Sequence, residues 1–222
     1  SPLIIFHALV LAELDLDKPI KIVTGLSILN WNKKDLFLDS ISNINVDDTV
    51  LKPSVVLMAQ GQGVFLDANI SKNGIVCIVD IGYNTFDFLV FEDSKPRQDL
   101  SFATNKGANV IITKLQTKLS ARYEFDATEQ KAKEVFLNGY VMHYNEKKDL
   151  TDEISEAKED YAEFVMNELR SRATDLLRSA SHVVFSGGGA YFLDKKNLPI
   201  NCMLSDTPFE FANARGYYYA AN

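Results

Sequence analysis

The stretch GIVCIVDIGYNTFDFLVFED, residues 74 to 93, leaves the chain few folds to choose from. Ile75 to Val79 is an unbroken apolar run rich in β-branched side chains, and Thr85 to Phe91 is another, interrupted by one acid. Runs of that length and composition read as strands covered on both faces. Gly82, Tyr83 and Asn84 between them supply turn material, so the pair reads as a hairpin at the centre of a buried sheet. Each strand also carries an aspartate. Asp80, at the end of its apolar run, is either a turn former or a ligand holder; Asp87 faces the opposite strand or a partner.

Around this pair the pattern alternates between strands and helices, which points to an α/β class. The opening SPLIIFHALVLAEL reads as a buried helix, PIKIVTGLS as a strand ending at Gly25, and WNKKDLFLDSIS as a short helix with Trp31, Leu36, Phe37 and Ile41 turned inward. SVVLMAQGQGVFLDA is a strand through Met58 that passes Gly61 and Gly63 into a helix. Val110, Ile111, Leu115 and Leu119 share one helical face. Asp126 with Glu129 three residues on marks a capped helix start, and Gly139 its stop. The longest helix runs from about Thr151 to Arg178, with Ile154, Ala157, Tyr161, Phe164, Val165, Leu169, Ala173 and Leu176 as its core stripe. A buried strand, Val183 to Phe185, leads into Gly187, Gly188 and Gly189, and FEFANARGYYYAAN closes the chain as a short helix.

At 222 residues the chain suits one large domain or two lobes sharing a cleft. Its 46% hydrophobic and 24% charged residues are those of a folded globular protein. A net charge of -7 argues against direct binding to nucleic acid or an anionic membrane, whereas a magnesium-nucleotide brings its own cation. Cys77 and Cys202 lack metal spacing and are too few for a disulfide framework, so Cys77 reads as core and the compartment as reducing. The opening apolar stretch is too short to span a bilayer and lacks the basic flank and cleavage site of a signal peptide.

Two segments share one design: a buried strand ending in a tight turn with exposed amides. They are Asp80-Ile81-Gly82-Tyr83-Asn84-Thr85 and Ser186-Gly187-Gly188-Gly189-Ala190. Glycine lets a ligand approach the backbone, and successive N–H groups cradle phosphate. An acid beside such a turn repels phosphate unless it holds a hydrated magnesium ion between them. The glycines do not fit GxGxxG, and there is no GxxxxGK[ST] loop.

The ordered pieces VTGL, AQGQG, DIGYNTFD, SGGGA and FANARG resemble those of ParM-like bacterial and archaeal actin homologues, in the actin, sugar-kinase and heat-shock chaperone ATPase superfamily. The resemblance implies an actin-like (ribonuclease H-like) fold, with residues 1–73 as the remainder of lobe I, 74–200 as lobe II and 201–222 returning to lobe I. It implies an ATP/ADP and Mg2+ cleft in which Asp80 holds the metal through water. Gly82, Tyr83, Asn84 and Thr85 would surround the β and γ phosphates, and Gly187, Gly188, Gly189, Ala190 and Tyr191 the adenosine. Gln60 matches the residue that orients the attacking water, with Gln62 as competitor; Gln130 and Lys133 lie on a helix that flanks the nucleoside in the family, and both read first as solvated surface residues. The family's first phosphate motif has no counterpart before SPLIIFHALV, so the expectation is an incomplete first lobe and a truncated form of reduced activity. The implied role is a cytoplasmic, self-assembling ATPase filament for plasmid or DNA segregation, reaching DNA through a basic adaptor protein. A small-molecule kinase of the same superfamily and a non-hydrolysing scaffold are the alternatives.

Overall fold

The computed structural model describes residues 2–123 and 127–221. In chain order the elements are α1 (Pro2–Leu11), β1 (Lys21–Leu26), α2 (Lys34–Ser42), β2 (Ile44–Val46), β3 (Thr49–Leu51), β4 (Ser54–Ala59), α3 (Gln62–Asp67), β5 (Ile75–Ile81), β6 (Phe86–Glu92), β7 (Lys95–Pro96), β8 (Phe102–Thr104), α4 (Asn109–Tyr123), α5 (Glu129–Asn138), β9 (Tyr140–His143), β10 (Glu146–Asp149), α6 (Thr151–Ser179), β11 (His182–Ser186), β12 (Cys202–Leu204) and α7 (Ala212–Ala221).

The apolar hairpin β5–β6 forms as its composition requires and sits inside a six-stranded mixed sheet of order β12-β11-β5-β6-β7, with β8 also on β6. β11 runs parallel to both β12 and β5, and β6 is antiparallel to β5. Both faces of this sheet are covered, and the two-residue period of each strand sorts its side chains between them. Cys77, Val79, Ile81, Phe86, Phe88, Val90, Val183 and Phe185 face a large core with α4, α5 and α6. Val76, Ile78, Leu89, Phe91 and Val184 face a smaller core completed by Ala59, Val64, Phe65 and Ala212. Phe65 stacks on Phe91 there, with ring centroids 3.9 Å apart.

The helices behave largely as their sequences dictate. In α4, Ile111, Ile112, Leu115 and Leu119 are buried. The predicted Asp126 start lies outside the described residues; Thr128 caps α5, its side chain accepting from the Lys131 amide, and Gly139 ends it in the left-handed conformation at φ 79°. In α6 the expected stripe is buried at Ile154, Ala157, Tyr161, Val165, Leu169 and Ala173, with Phe164 and Leu176 partly so. Lys114, Lys118 and Arg122 of α4 meet Asp160, Glu156 and Glu153 of α6 as a ladder of exposed ion pairs. Such exposed pairs contribute little energy, and their order follows the antiparallel run of the two helices.

A smaller layer holds β1 and β4, paired in parallel, the β2–β3 hairpin, and α1, α2, α3 and α7. Two expectations fail here. α1 is not buried: none of its residues is, and Ile4 and Leu11 are each 70% exposed. Its sequence is apolar all round and needs cover on every side, whereas among the described residues it leans chiefly on β2 and α2. Leu36 is 72% exposed rather than inward, because it sits about 100° around α2 from Phe37 and away from the face that buries Ile41.

α3 and α7 cross backbone to backbone. A Cβ on Gly216 would lie 1.8 Å from the Gly63 carbonyl oxygen, and one on Gly63 would lie 2.4 Å from that of Asn213. Arg215 locks the crossing by donating to both Asp67 carboxylate oxygens and to the carbonyls of Pro208 and Asp206. Gly216→Ala is therefore expected to lower stability by about 2 kcal/mol or more, through overpacking at the crossing. Tyr161→Phe should act oppositely, because the Tyr161 hydroxyl is buried in the large core without a hydrogen-bond partner among the described residues. Removing it should raise stability by about 1 kcal/mol, read as a rise in Tm.

Candidate functional site

The face of the sheet turned toward the smaller layer is apolar until its last register, where it becomes polar in three adjacent strands. Ser186 pairs with Asp80 across β11–β5, and Asp80 with Asp87 across β5–β6. All three are buried, at 0%, 7% and 1% exposure. Each is answered by a segment distant in sequence. The Ser186 hydroxyl donates to the Phe209 carbonyl at 3.1 Å and shares a hydrogen bond with Ser205. Asp87 Oδ1 accepts from the Ser27 hydroxyl at 2.8 Å and the Ile28 amide at 3.0 Å, fixing the 3-10 turn Ile28–Lys33 that follows β1. Asp80 Oδ2 accepts from Asn213 Nδ2 of α7 at 2.6 Å.

Beyond Asp80 the chain turns. The Gly82 amide donates to the Thr85 carbonyl at 2.8 Å, closing the turn, while the Gly82 and Tyr83 carbonyls accept from the amides of Ala108 and Asn109 at the start of α4. In a trans peptide the N–H points opposite to the C=O. The amides of Tyr83 and Asn84 are thus directed away from α4, on the side where residues 82–85 line an open cleft. Gly107 lets α4 begin this close: a Cβ there would lie 2.5 Å from the Tyr83 carbonyl oxygen.

The second bend faces the same cleft. Gly187 has φ 80° and a Cβ on it would strike Asp80 Oδ1 at 2.6 Å, so glycine is required on both counts. Gly188 has open space where its Cβ would be. The cleft between them measures about 990 Å3 and is bounded by Asp80, Gly82, Tyr83, Asn84, Thr85, Gly187 and Gly188 from the large sheet's side, and by Thr24, Gly25, Ser27, Gln60, Asn213 and Tyr217 from the smaller layer.

Eight of the sequence-predicted residues therefore share one cavity, Gln60 among them. Its competitor Gln62 does not: its Oε1 accepts from the Ala59 amide at 2.7 Å, tying the start of α3 back to the end of β4. Gly189 and Ala190 line no part of the cleft and are buried beneath it, Gly189 against Ile81. Tyr191 lines a neighbouring hollow rather than the cleft, but donates at 2.8 Å to Glu210, which does line the cleft. At the rim, Tyr83 donates to Glu129 of α5 at 2.5 Å, and Lys133 lies over its ring while pairing with Glu129. Gln130 instead reaches along α5 to Glu134.

The sequence reading missed Ser27 and the use of Asn213, which also accepts from the Gly61 amide at 2.9 Å. A signal existed for Asp87: a four-residue turn at 82–85 pairs Asp80 with Asp87 and puts both on one face. Burial pushes the Asp80 carboxyl up to about 6; the hydrogen bond from Asn213 opposes this and the nearby Asp87 adds to it. Asp87 is also raised, mainly by burial, against the lowering effect of its donors from Ser27, Ile28 and Thr85. Burial raises Cys77 to about 12 and Cys202 to about 11, the inert thiols of a core.

These groups suit a magnesium-nucleotide. Among the described residues no group of three or more His, Cys, Asp or Glu could cage a metal by itself. A cation here would take Asp80 and complete its shell with water and phosphate, the habit of magnesium. The amides of the 82–85 turn and the open Gly188 offer room and donors for that phosphate.

No curated protein sequence matches the chain. Many solved structures share its fold, among them two of one archaeal protein and one bacterial filament. The archaeal actin homologue Ta0583 matches at TM-score 0.79 and 21% identity, over 98% of this chain and 74% of that one. A complex of Ta0583 with ADP matches at TM-score 0.78 and 19% identity, over 97% of this chain and 76% of that one. A ParM filament from Clostridium botulinum matches at TM-score 0.75 and 20% identity, over 96% of this chain and 72% of that one. The fold is thus actin-like. The family model for the C-terminal part of archaeal MreB-like actin homologues matches residues 78–197, more than half of the chain, and the protein belongs to that family.

Proposed function

We propose that the chain is an actin-like subunit that binds ATP and ADP with magnesium and assembles with copies of itself in a nucleotide-dependent way. One observation carries this: two glycine bends from separate strands, the acid Asp80 and the polar Gln60 converge on a single cleft. The ADP complex of one structural relative and the filament of another support the reading. The lobes proposed are 1–73, 74–200 and 201–222, the last lending β12 to the larger sheet before α7 crosses back.

Bound Mg-ATP would supply a cation to answer the acid Asp80 and a γ phosphate to lose. Asp80, from the end of β5, would hold the metal through water. The Tyr83 and Asn84 amides would donate to phosphate oxygens, and Gly187 and Gly188 would let the nucleotide lie against the backbone. Gln60 would hold a water in line for attack. Hydrolysis would change how the two layers close on the cleft and so weaken contacts between copies. With a net charge of -7, contact with plasmid or other DNA would pass through a basic adaptor. Among the described residues no helix is long and apolar enough to cross a membrane. A cytoplasmic location is part of the proposal, in keeping with the free thiols of Cys77 and Cys202.

Nucleotide-dependent sedimentation tests the assembly: the protein should pellet with Mg-ATP and less with Mg-ADP, and equal pelleting with and without nucleotide would contradict the proposal. The acid gives a second test. Because the folded pKa of Asp80 is raised, the native state binds its proton more tightly than the unfolded chain, so ionising it costs stability as pH climbs from about 4 to about 6 and throughout the range above. Asp80→Asn should therefore raise stability at pH 7.5 by roughly 3 kcal/mol, leave it nearly unchanged at pH 4, and abolish the Tm rise produced by Mg-ADP. An Asp80→Asn protein still stabilised by Mg-ADP like the parent would rule out the metal role.

A further inference from the structure

Asn213 stands in an unusual position for a residue on the last helix. Its side-chain amide spans the cleft floor with both ends engaged: Nδ2 donates to Asp80 Oδ2 at 2.6 Å, and Oδ1 accepts from the Gly61 amide at 2.9 Å. Gly61 follows Gln60 directly and has φ 90°, a conformation few other residues adopt, so its amide direction is fixed by the backbone. Its surroundings are equally rigid, since a Cβ on Gly61 would lie 2.9 Å from Leu89 Cδ1. One planar amide therefore ties the acid at the end of β5 to the loop that carries Gln60.

The arrangement leaves the other carboxylate oxygen defined as well. Asp80 Oδ1 lies toward Gly187, where a Cβ would sit 2.6 Å from it, and it accepts no protein hydrogen bond among the described residues. With Oδ2 committed to Asn213, Oδ1 is the oxygen left to meet a metal-bound water. Asn213 itself is held by the α3–α7 crossing one helical turn before Gly216, and by the Arg215 clamp to Asp67. A change in how α7 sits on α3 would move Asp80 and the Gln60 loop together.

We infer that Asn213 is a positioning residue that orients the Asp80 carboxylate for the metal and holds the Gln60 loop in register with it. This rests on the magnesium-nucleotide reading of the cleft. Asn213 touches neither metal nor nucleotide in this role; it acts through Asp80 and Gly61.

The test is a titration of the full chain with a fluorescent ADP analogue, once with Mg2+ and once with EDTA. In Asn213→Ala the gain in affinity conferred by Mg2+ should shrink by about tenfold, while the affinity in EDTA stays within about twofold of the parent, the scale expected when a partner of a metal ligand is removed. Equal losses with and without Mg2+ would show a merely structural role and overturn the inference, as would an unchanged Mg2+ gain. Should Asn213→Ala fail to fold, NMR of the parent decides: adding Mg2+ to the ADP-bound protein should shift the Asn213 side-chain amide and the Gly61 backbone amide together, and unmoved resonances would overturn it. A parent whose ADP affinity ignores Mg2+ would instead overturn the magnesium-nucleotide reading, and the inference with it.

Discussion

The structure depends on three buried polar side chains standing side by side where an apolar sheet face ends. Ser186, Asp80 and Asp87 occupy adjacent strands at one register, and water does not reach them freely. Leaving such groups unpaired costs about 1–3 kcal/mol each, and more for a charge. Their partners are the Phe209 carbonyl with Ser205, Asn213, and Ser27 with Ile28. None of these lies in the strands themselves. Asn213 and Ser27 belong to the smaller layer and line the cleft, so their bonds to Asp80 and Asp87 join the two layers.

Close backbone approach does the rest. Gly63 against Gly216 lets α7 lie on α3, Gly25 leaves room for the Tyr217 ring, and Gly187 leaves room for the Asp80 carboxylate. Each contact is nonspecific packing in energy but specific in position, and together they bring the carboxyl-terminal helix to the floor of the cleft. The same geometry explains why Asp80 is an acid with a raised pKa: the fold buries it, and one neutral amide only partly offsets that burial. A site that holds an acid in this state is less stable than it would be with asparagine there, and a cation is the natural relief.

Much of this was legible in the residues. The run Ile75 to Val79 could only be a covered strand, the helical stripes of α4 and α6 were periodic enough to place, and the glycine bends with Asp80 named the cleft before any coordinates. What escaped was long-range. Asn213 meets Asp80 across 133 positions, and Ser27 meets Asp87 across 60; no local pattern reports such pairs. Tyr191, after the three glycines, lines no part of the cleft itself, yet the 3-10 turn Gly188–Phe192 brings its hydroxyl to Glu210 on the cleft wall, another pair that no local pattern reports. The exposure of α1 escaped for a related reason, since an apolar sequence states a need for cover without saying what supplies it.

A crystal structure of the protein grown with Mg-ADP tests the central claim most directly. The account predicts phosphates lodged between the 82–85 turn and the Gly187–Gly188 bend, with a metal-bound water against the oxygen of Asp80 that Asn213 leaves free. Nucleotide bound on any other surface, or a metal with no link to Asp80, would contradict it.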